Sequence, residues 1–441
     1  MKPLFRYLLT TVALFLRDES GVTATYAVTT SKTDVNGVWR KVQAPLQEAA
    51  QYMVDEWDML DEVQTFEVDW SAREITMPLD LSDDVGVASI PEGGFEARPS
   101  SPNPTDATLT WILFNARFTV SKTAKFIDLK NRQAMLERQI IFQGRKKLQA
   151  FARRIGEYFY GFSTGVLAKV VSVTGDVIVV KDQYGIAGLG STTAPFKAGQ
   201  PFKKGEYVAV LNPTGPALRG IAQVAAQDNT VPNFTFATGT TPAGTAANDL
   251  LVMGNSVENT TLAGGTDYNN ALLGLLDICT STSIQNVSSA TFPKWAVGFS
   301  DTTSTRYTGI KLRKAKQGIL NSGGGTLNQI LWANGVENDV TAQLQAGLRF
   351  QDSFAMELDG MPKAKGVDIK TTRFVPNGFV FMFDRKSLRK LSLLPKPGQP
   401  AWDDGYKLQD QSGFIFPIDY PCQLVVTNRA NFGYAQNQSE Q

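Results

Sequence analysis

Between residues 131 and 162 the positions Ile141, Gly144, Leu148, Phe151, Ile155, Tyr158 and Phe162 recur in alternating steps of three and four. This is the stripe of an amphipathic helix, and a stripe this long leaves few folds open. At 1.5 Å per residue the helix extends roughly 45 Å, enough to cross a whole domain. It reads as a spine whose core face holds Ile141, Leu148, Phe151, Ile155 and Phe162. The opposite face carries Arg138, Arg145, Lys146, Lys147, Arg153 and Arg154, too many cations for a buried surface.

What surrounds the spine is bounded by composition. The 441 residues are 42% hydrophobic and 10% aromatic, enough for two or three domains with real cores. A net charge of +1 excludes coating of nucleic acid by bulk charge and leaves local patches open. The chain has no histidine, which removes the commonest general base, the commonest zinc ligand and every Ser-His-Asp or Cys-His arrangement. Cys279 and Cys422 are far apart and form neither a metal motif nor a disulfide framework, so a reducing compartment is expected.

The apolar run at residues 5–16 is too short to span a bilayer and is followed by Arg17, Asp18 and Glu19 without a cleavage signal. It is expected to bury against a partner chain. From Val38, helical spacing of Val42, Leu46, Met53, Trp57 and Leu60 predicts a helical arm. Residues 64–120 alternate, break into a Pro- and Gly-rich loop and alternate again, which predicts a long two-stranded hairpin lying on another element. Between residues 166 and 255, six short apolar runs separated by turn residues predict a small closed barrel. Its Gly188-Leu189-Gly190-Ser191-Thr192 lacks the lysine of a phosphate loop. Beyond it come helices at 269–277, 306–320 and 336–350, a buried strand at 329–332, strands near 367–372 and 379–383, and a final hairpin-like pair at 414–418 and 423–426.

Charge is segregated along the chain. Residues 55–98 hold thirteen acids, including Asp69, Glu74, Asp80, Asp83 and Asp84, against Arg73 and Arg98, a net of −11. Residues 122–154 hold ten bases against Asp128 and Glu137, a net of +8. Two solvated faces explain this blandly; the sharper expectation is that the acidic arm and hairpin of one copy lie across the basic spine of the next.

In this order, the helical arm, extended hairpin, basic spine, mixed region and returning strands resemble the major capsid proteins of tailed bacteriophages, with their HK97-like fold. Stretches that carry the resemblance include ARFTVSKTAKFIDL before the spine, Phe292-Pro293-Lys294-Trp295, LNQILWANG and GVDIKTTRFVPNGFVFMFD. It implies an α+β chain divided into an N-terminal arm (1–63), an extended loop (64–121), the spine helix of a peripheral domain (122–165), a β-barrel insertion domain (166–255), an axial domain (256–384) and a return to the peripheral domain (385–441). It further implies a virion protein assembled in the host cytoplasm. Its copies would form hexamers and pentamers around packaged double-stranded DNA. Portal, decoration and separate scaffolding proteins would be its partners, the last because little sequence precedes Val38.

Some members of that family weld their shell through a lysine of the extended loop. No lysine occurs between Lys41 and Lys122, so a non-covalent shell is expected. No catalytic residue, cofactor, metal or membrane partner is assigned. Other readings are a tail or baseplate protein, an encapsulating compartment, and a carboxylate-dependent hydrolase using pairs such as Asp83 with Asp84 or Asp403 with Asp404. Calcium on LDLSDD is a further reading.

Overall fold

The computed structural model describes residues 64–67, 74–79, 81, 105–121, 132–187, 201–228, 232–255, 261–348, 366–392, 401–402, 406–407 and 413–438. The apolar run at 5–16, the arm at 38–60, the loop at 188–192, Asp403, Asp404 and the acids Asp69, Asp80, Asp83 and Asp84 lie outside these residues. The first described elements are β1 (Gln64–Glu67), β2 (Glu74–Leu79), β3 (Thr105–Thr110), β4 (Ile112–Ser121) and helix α1 (Arg132–Tyr160). Next come β5 (Val166–Thr174), β6 (Val177–Lys181), β7 (Tyr207–Leu211), β8 (Leu218–Gln227), β9 (Asn233–Phe236) and β10 (Leu250–Gly254). Then follow α2 (Leu262–Gly265), α3 (Leu275–Thr280), β11 (Ser283–Ile284), β12 (Val287–Ser288), β13 (Phe299–Asp301), α4 (Gly309–Gly323), β14 (Gln329–Trp332) and α5 (Asn334–Leu348). The chain ends through β15 (Asp368–Thr371), β16 (Val380–Phe383), β17 (Leu388–Ser392), β18 (Ala401–Trp402), β19 (Tyr406–Lys407), β20 (Gly413–Val426) and β21 (Phe432–Ala435).

The spine forms where its periodicity places it. Leu148, Phe151 and Ile155 are buried, and Gly144 lies on the same inward stripe. Ile141 and Phe162, at the two ends of the stripe, are only half-buried. Aromatic rings fix the helix on two sides. Phe114 of β4 meets Phe151 edge-on at 6.2 Å and Tyr158 in a stack at 6.0 Å, while Tyr160 stacks on Phe374 at 6.0 Å.

The acidic stretch does not make one long hairpin. β2 and β3 pair antiparallel from Glu74 opposite Thr110 to Leu79 opposite Thr105. β1, by contrast, runs parallel to β17, and β4 pairs with β20. Alternation in the sequence marks strands and leaves the partner open. The hairpin rests on the ribbon β11–β12, whose turn residues Gln285 and Asn286 both have φ near +55 to +60°. That is the geometry of a two-residue primed turn. Thr108 N–H donates to Gln285 O at 3.1 Å, joining the two hairpins.

The six expected barrel strands close in the order β10-β5-β6-β9-β8-β7, all antiparallel. Val170, Ile178, Val180, Val208, Val210, Phe202 and Phe234 fill it and are fully buried. A second sheet has the order β13-β21-β16-β14-β15, with every residue of β14 and β16 buried. Strands buried on both faces read as continuous apolar runs, as at ILW after the buried Gln329 and at VFMF.

Two further segments differ from the expectation. The segment 269–277 is mostly turn, with helix only over α3, because Gly274 and the left-handed Asn269 interrupt it. The final pair at 414–418 and 423–426 is a single fourteen-residue strand, β20. Pro417 and Pro421 both sit in an unbroken ladder with β4. On the other edge, β19 pairs at 414–415, β18 at 418–419 and β17 at 422–426. The two prolines, four apart and thus sharing one edge, fall between these short partners, where no N–H is required.

Candidate functional site

On the N-terminal half of α1, Phe142, Arg145, Lys146, Lys147 and Gln149 are exposed, Phe142 to 64%. Lys146 Nζ lies 5.9 Å from the Phe142 ring centroid, so the apolar residue sits within a cationic band. Arg138 belongs to the same helix; its side chain lies outside the described set. This band is available to a partner of opposite charge. Of the acids expected to face it, Glu67 and Glu74 are described, and Glu74 is exposed at the root of the hairpin.

Arg153 and Arg154 depart from the expectation of an outward basic face. Both are turned into a junction with the barrel, where Arg153 pairs with Glu206 and Arg154 reaches the same carboxylate at 3.5 Å. Glu157, 3% exposed, stands 3.7 Å from each guanidinium. The reason is periodicity: with helix geometry of 3.6 residues per turn, 153, 154 and 157 share the flank that the barrel covers. Counting cations gave no information about Glu206, which lies fifty-three residues away.

Around this junction other polar side chains lock the elements together. Tyr158 donates its hydroxyl proton to Asp267, and Tyr184 donates to Phe374 O at 2.9 Å. Asp277 accepts from Ser163 N at 2.5 Å, tying the end of α1 to α3. Arg429, 2% exposed, donates through Nε to Ile278 O at 2.7 Å and through a terminal nitrogen to Ser281 O. It thereby satisfies carbonyls at the C-terminus of α3, where a cation is favoured. Burial pushes the Cys279 and Cys422 thiols up to about 12, so neither is poised as a nucleophile.

A second outward surface was legible as a helix but not as a site. On α4 the exposed residues Ile310, Arg313, Gln317 and Leu320 follow steps of three and four, while Ala315 and Ile319 pack inward. Ile310 is 66% and Leu320 58% exposed. The outward face of the helix thus presents two large apolar side chains, Ile310 and Leu320, alternating with the polar Arg313 and Gln317. Among the described residues no group of three or more metal-ligating side chains occurs, and no helix is long and apolar enough to cross a membrane.

The sequence matches no protein-family profile and no curated protein. Among solved structures it is similar to the cyanophage A-1(L) capsid subunit, with 12% identity over 87% of this chain and 93% of that chain, at a TM-score of 0.50. Alignments with the capsid of a native GTA particle (9% identity, 96% of each chain, TM-score 0.41) and with the holo-SrpI encapsulin complex from Synechococcus elongatus (9%, 87% and 88%, TM-score 0.39) are looser. The spine helix, the two sheets and the hairpin of this chain together make up a mixed α/β structure with the HK97-like fold of the cyanophage capsid subunit.

Proposed function

We propose that this chain is the repeating subunit of a closed protein shell, the capsid of a tailed phage, and that it performs no chemical step. The observation that carries this reading is the fold shared with the cyanophage A-1(L) capsid subunit across 87% of the chain. Its exposed features agree with it. A cationic band with Phe142 and the exposed Ile310 and Leu320 on α4 are surfaces that a subunit working alone does not need.

In this reading residues 64–121 form the extended loop, 122–165 the spine of the peripheral domain and 256–384 the axial domain. The barrel at 166–255 is an insertion, residues 1–63 are the arm, and 385–441 return to the peripheral domain. Acidic residues of one copy's loop, Glu74 among those described, lie over Arg145, Lys146 and Lys147 of the next. Many weak contacts shared among neighbours then add up to a stable shell that can correct errors as it closes. Hexamers and pentamers are the closed rings, and packaged double-stranded DNA meets the shell through non-specific phosphate contacts. Arg153 and Arg154 take no part in that contact, being paired inside the subunit. A scaffolding protein, a portal and a decoration protein complete the assembly in the virion.

Electron microscopy and sedimentation velocity of the purified chain, expressed alone and with its neighbouring genes, test the reading. Closed particles or five- and six-membered rings are expected. A compact monomer under every condition would overturn it, and tubes or discs would favour a tail or baseplate role.

A further inference from the structure

A cleft of about 360 Å³ lies where the hairpin β2–β3 meets the rest of the subunit. Glu74, Leu109 and Thr110 line it from the hairpin and Ile112 from β4. Asn269 and Ala271, from the loop before α3, and Asn286, from the turn of the β11–β12 ribbon, complete it. Among the described residues that line it Glu74 carries the only charge, so the cleft is negative. Its walls are fixed by bonds within the subunit. Thr108 N–H donates to Gln285 O at 3.1 Å, while Gln423 donates to Thr110 O at 3.0 Å and accepts from Leu273 N at 3.1 Å. Asn286 donates its amide N–H to the Thr108 hydroxyl, so its carbonyl oxygen is the end that can accept from a partner. The cleft therefore sets a carboxylate, amide groups and apolar surface side by side, in a volume within the range of about 300–1,000 Å³ usual for binding pockets.

We propose that this cleft is the socket for Phe142 and Arg145 of a second copy of the chain. The inference rests on the shell-subunit reading and names the contact by which one copy holds the basic band of the next. Phe142 and Arg145 are three residues apart on α1, hence neighbours on one face, and both are exposed, Phe142 to 64%. A guanidinium presents five donors in a planar fork, and Glu74 answers it with a carboxylate while Asn269 and Asn286 bring amide oxygens. The ring finds its match in Leu109, Ile112 and Ala271. An aromatic ring and an arginine seated in a pocket are the residue types that most often anchor protein interfaces. Arg153 and Arg154 are not available for this role, since both reach Glu206 within their own subunit.

Assembly of the full chain, followed by sedimentation velocity and electron microscopy, tests the socket. Glu74→Arg and Arg145→Glu should each raise the concentration needed for closed particles by about tenfold or more, and the two together should return it to within about threefold of wild type. Thr110→Trp, which fills the cleft without altering charge, and Phe142→Ala should each raise it as well. All four positions are exposed in the subunit, so its circular dichroism should stay unchanged. Wild-type particles together with normal assembly of Glu74→Arg or of Thr110→Trp, or a charge swap that fails to recover assembly, overturn the socket and leave the shell reading standing. A wild-type chain that forms neither particles nor rings overturns both.

Discussion

Gly274 is the position where the packing of the spine against α3 is tightest, and its replacement by alanine tests the account of that joint. A Cβ built on Gly274 would lie 2.1 Å from Gly161 O and 2.6 Å from Tyr158 O. Ordinary carbon–oxygen contacts are about 3.3–3.6 Å, so the end of α1 and the start of α3 must separate by about 1 Å. Both obstacles are backbone carbonyls, which no rotamer change can move aside. Overpacking usually costs about 1–3 kcal/mol, and the backbone origin of this clash places Gly274→Ala near 3 kcal/mol or above. That is a large share of the roughly 5–15 kcal/mol that holds a native protein. Urea unfolding of dissociated subunits, followed by the fluorescence of the buried Trp295 and Trp332, should show a clearly lower midpoint. The matched control is Gly309→Ala at the start of α4, where no atom lies within 4 Å of the added Cβ and alanine should be neutral or stabilising by up to about 1 kcal/mol. If Gly274→Ala unfolds within about 0.5 kcal/mol of wild type, the joint is looser than described and the reasoning fails.

Further outcomes follow from the surfaces and the core. Reversing Arg145, Lys146 and Lys147 to glutamate should abolish closed particles in low salt while the circular dichroism of the subunit stays unchanged; normal assembly would remove the proposed role of the band. Arg429→Met leaves Ile278 O and Ser281 O without their buried donor and should destabilise by about 2–4 kcal/mol in the same unfolding assay, whereas a loss below about 1 kcal/mol would make the guanidinium dispensable. On denaturing gels, assembled particles should run as a single band near 48.1 kDa, because residues 42–121 contain no lysine to cross-link; a ladder would contradict this.

Local patterns carried much of the fold. β14 spans Gln329–Trp332 around the apolar run ILW, all six barrel strands lie in the runs that the turn residues separate, and α4 ends where Gly324 adopts φ of +67°. Each of these depends on neighbours within a few residues. The candidate site was less legible. Arg145, Lys146 and Lys147 are exposed as helical phase predicts, but Ile310 and Leu320 read as ordinary positions of an amphipathic helix until the inward face was seen to be Ala315 and Ile319.

The sequence by itself determined most of the segments that are helix or strand, such as α1 and the barrel strands, and which side of them is apolar, because those follow from periods of 3.6 and 2 and from turn chemistry. Only the tertiary structure decided partners: β1 with β17 instead of with β4, β20 as one strand with prolines in the gaps of its far edge, and Arg153 and Arg154 against Glu206 instead of facing outward. Pairing across tens or hundreds of residues is chosen by the free energy of the whole packed core, and a charge is buried or exposed according to what another element brings beside it.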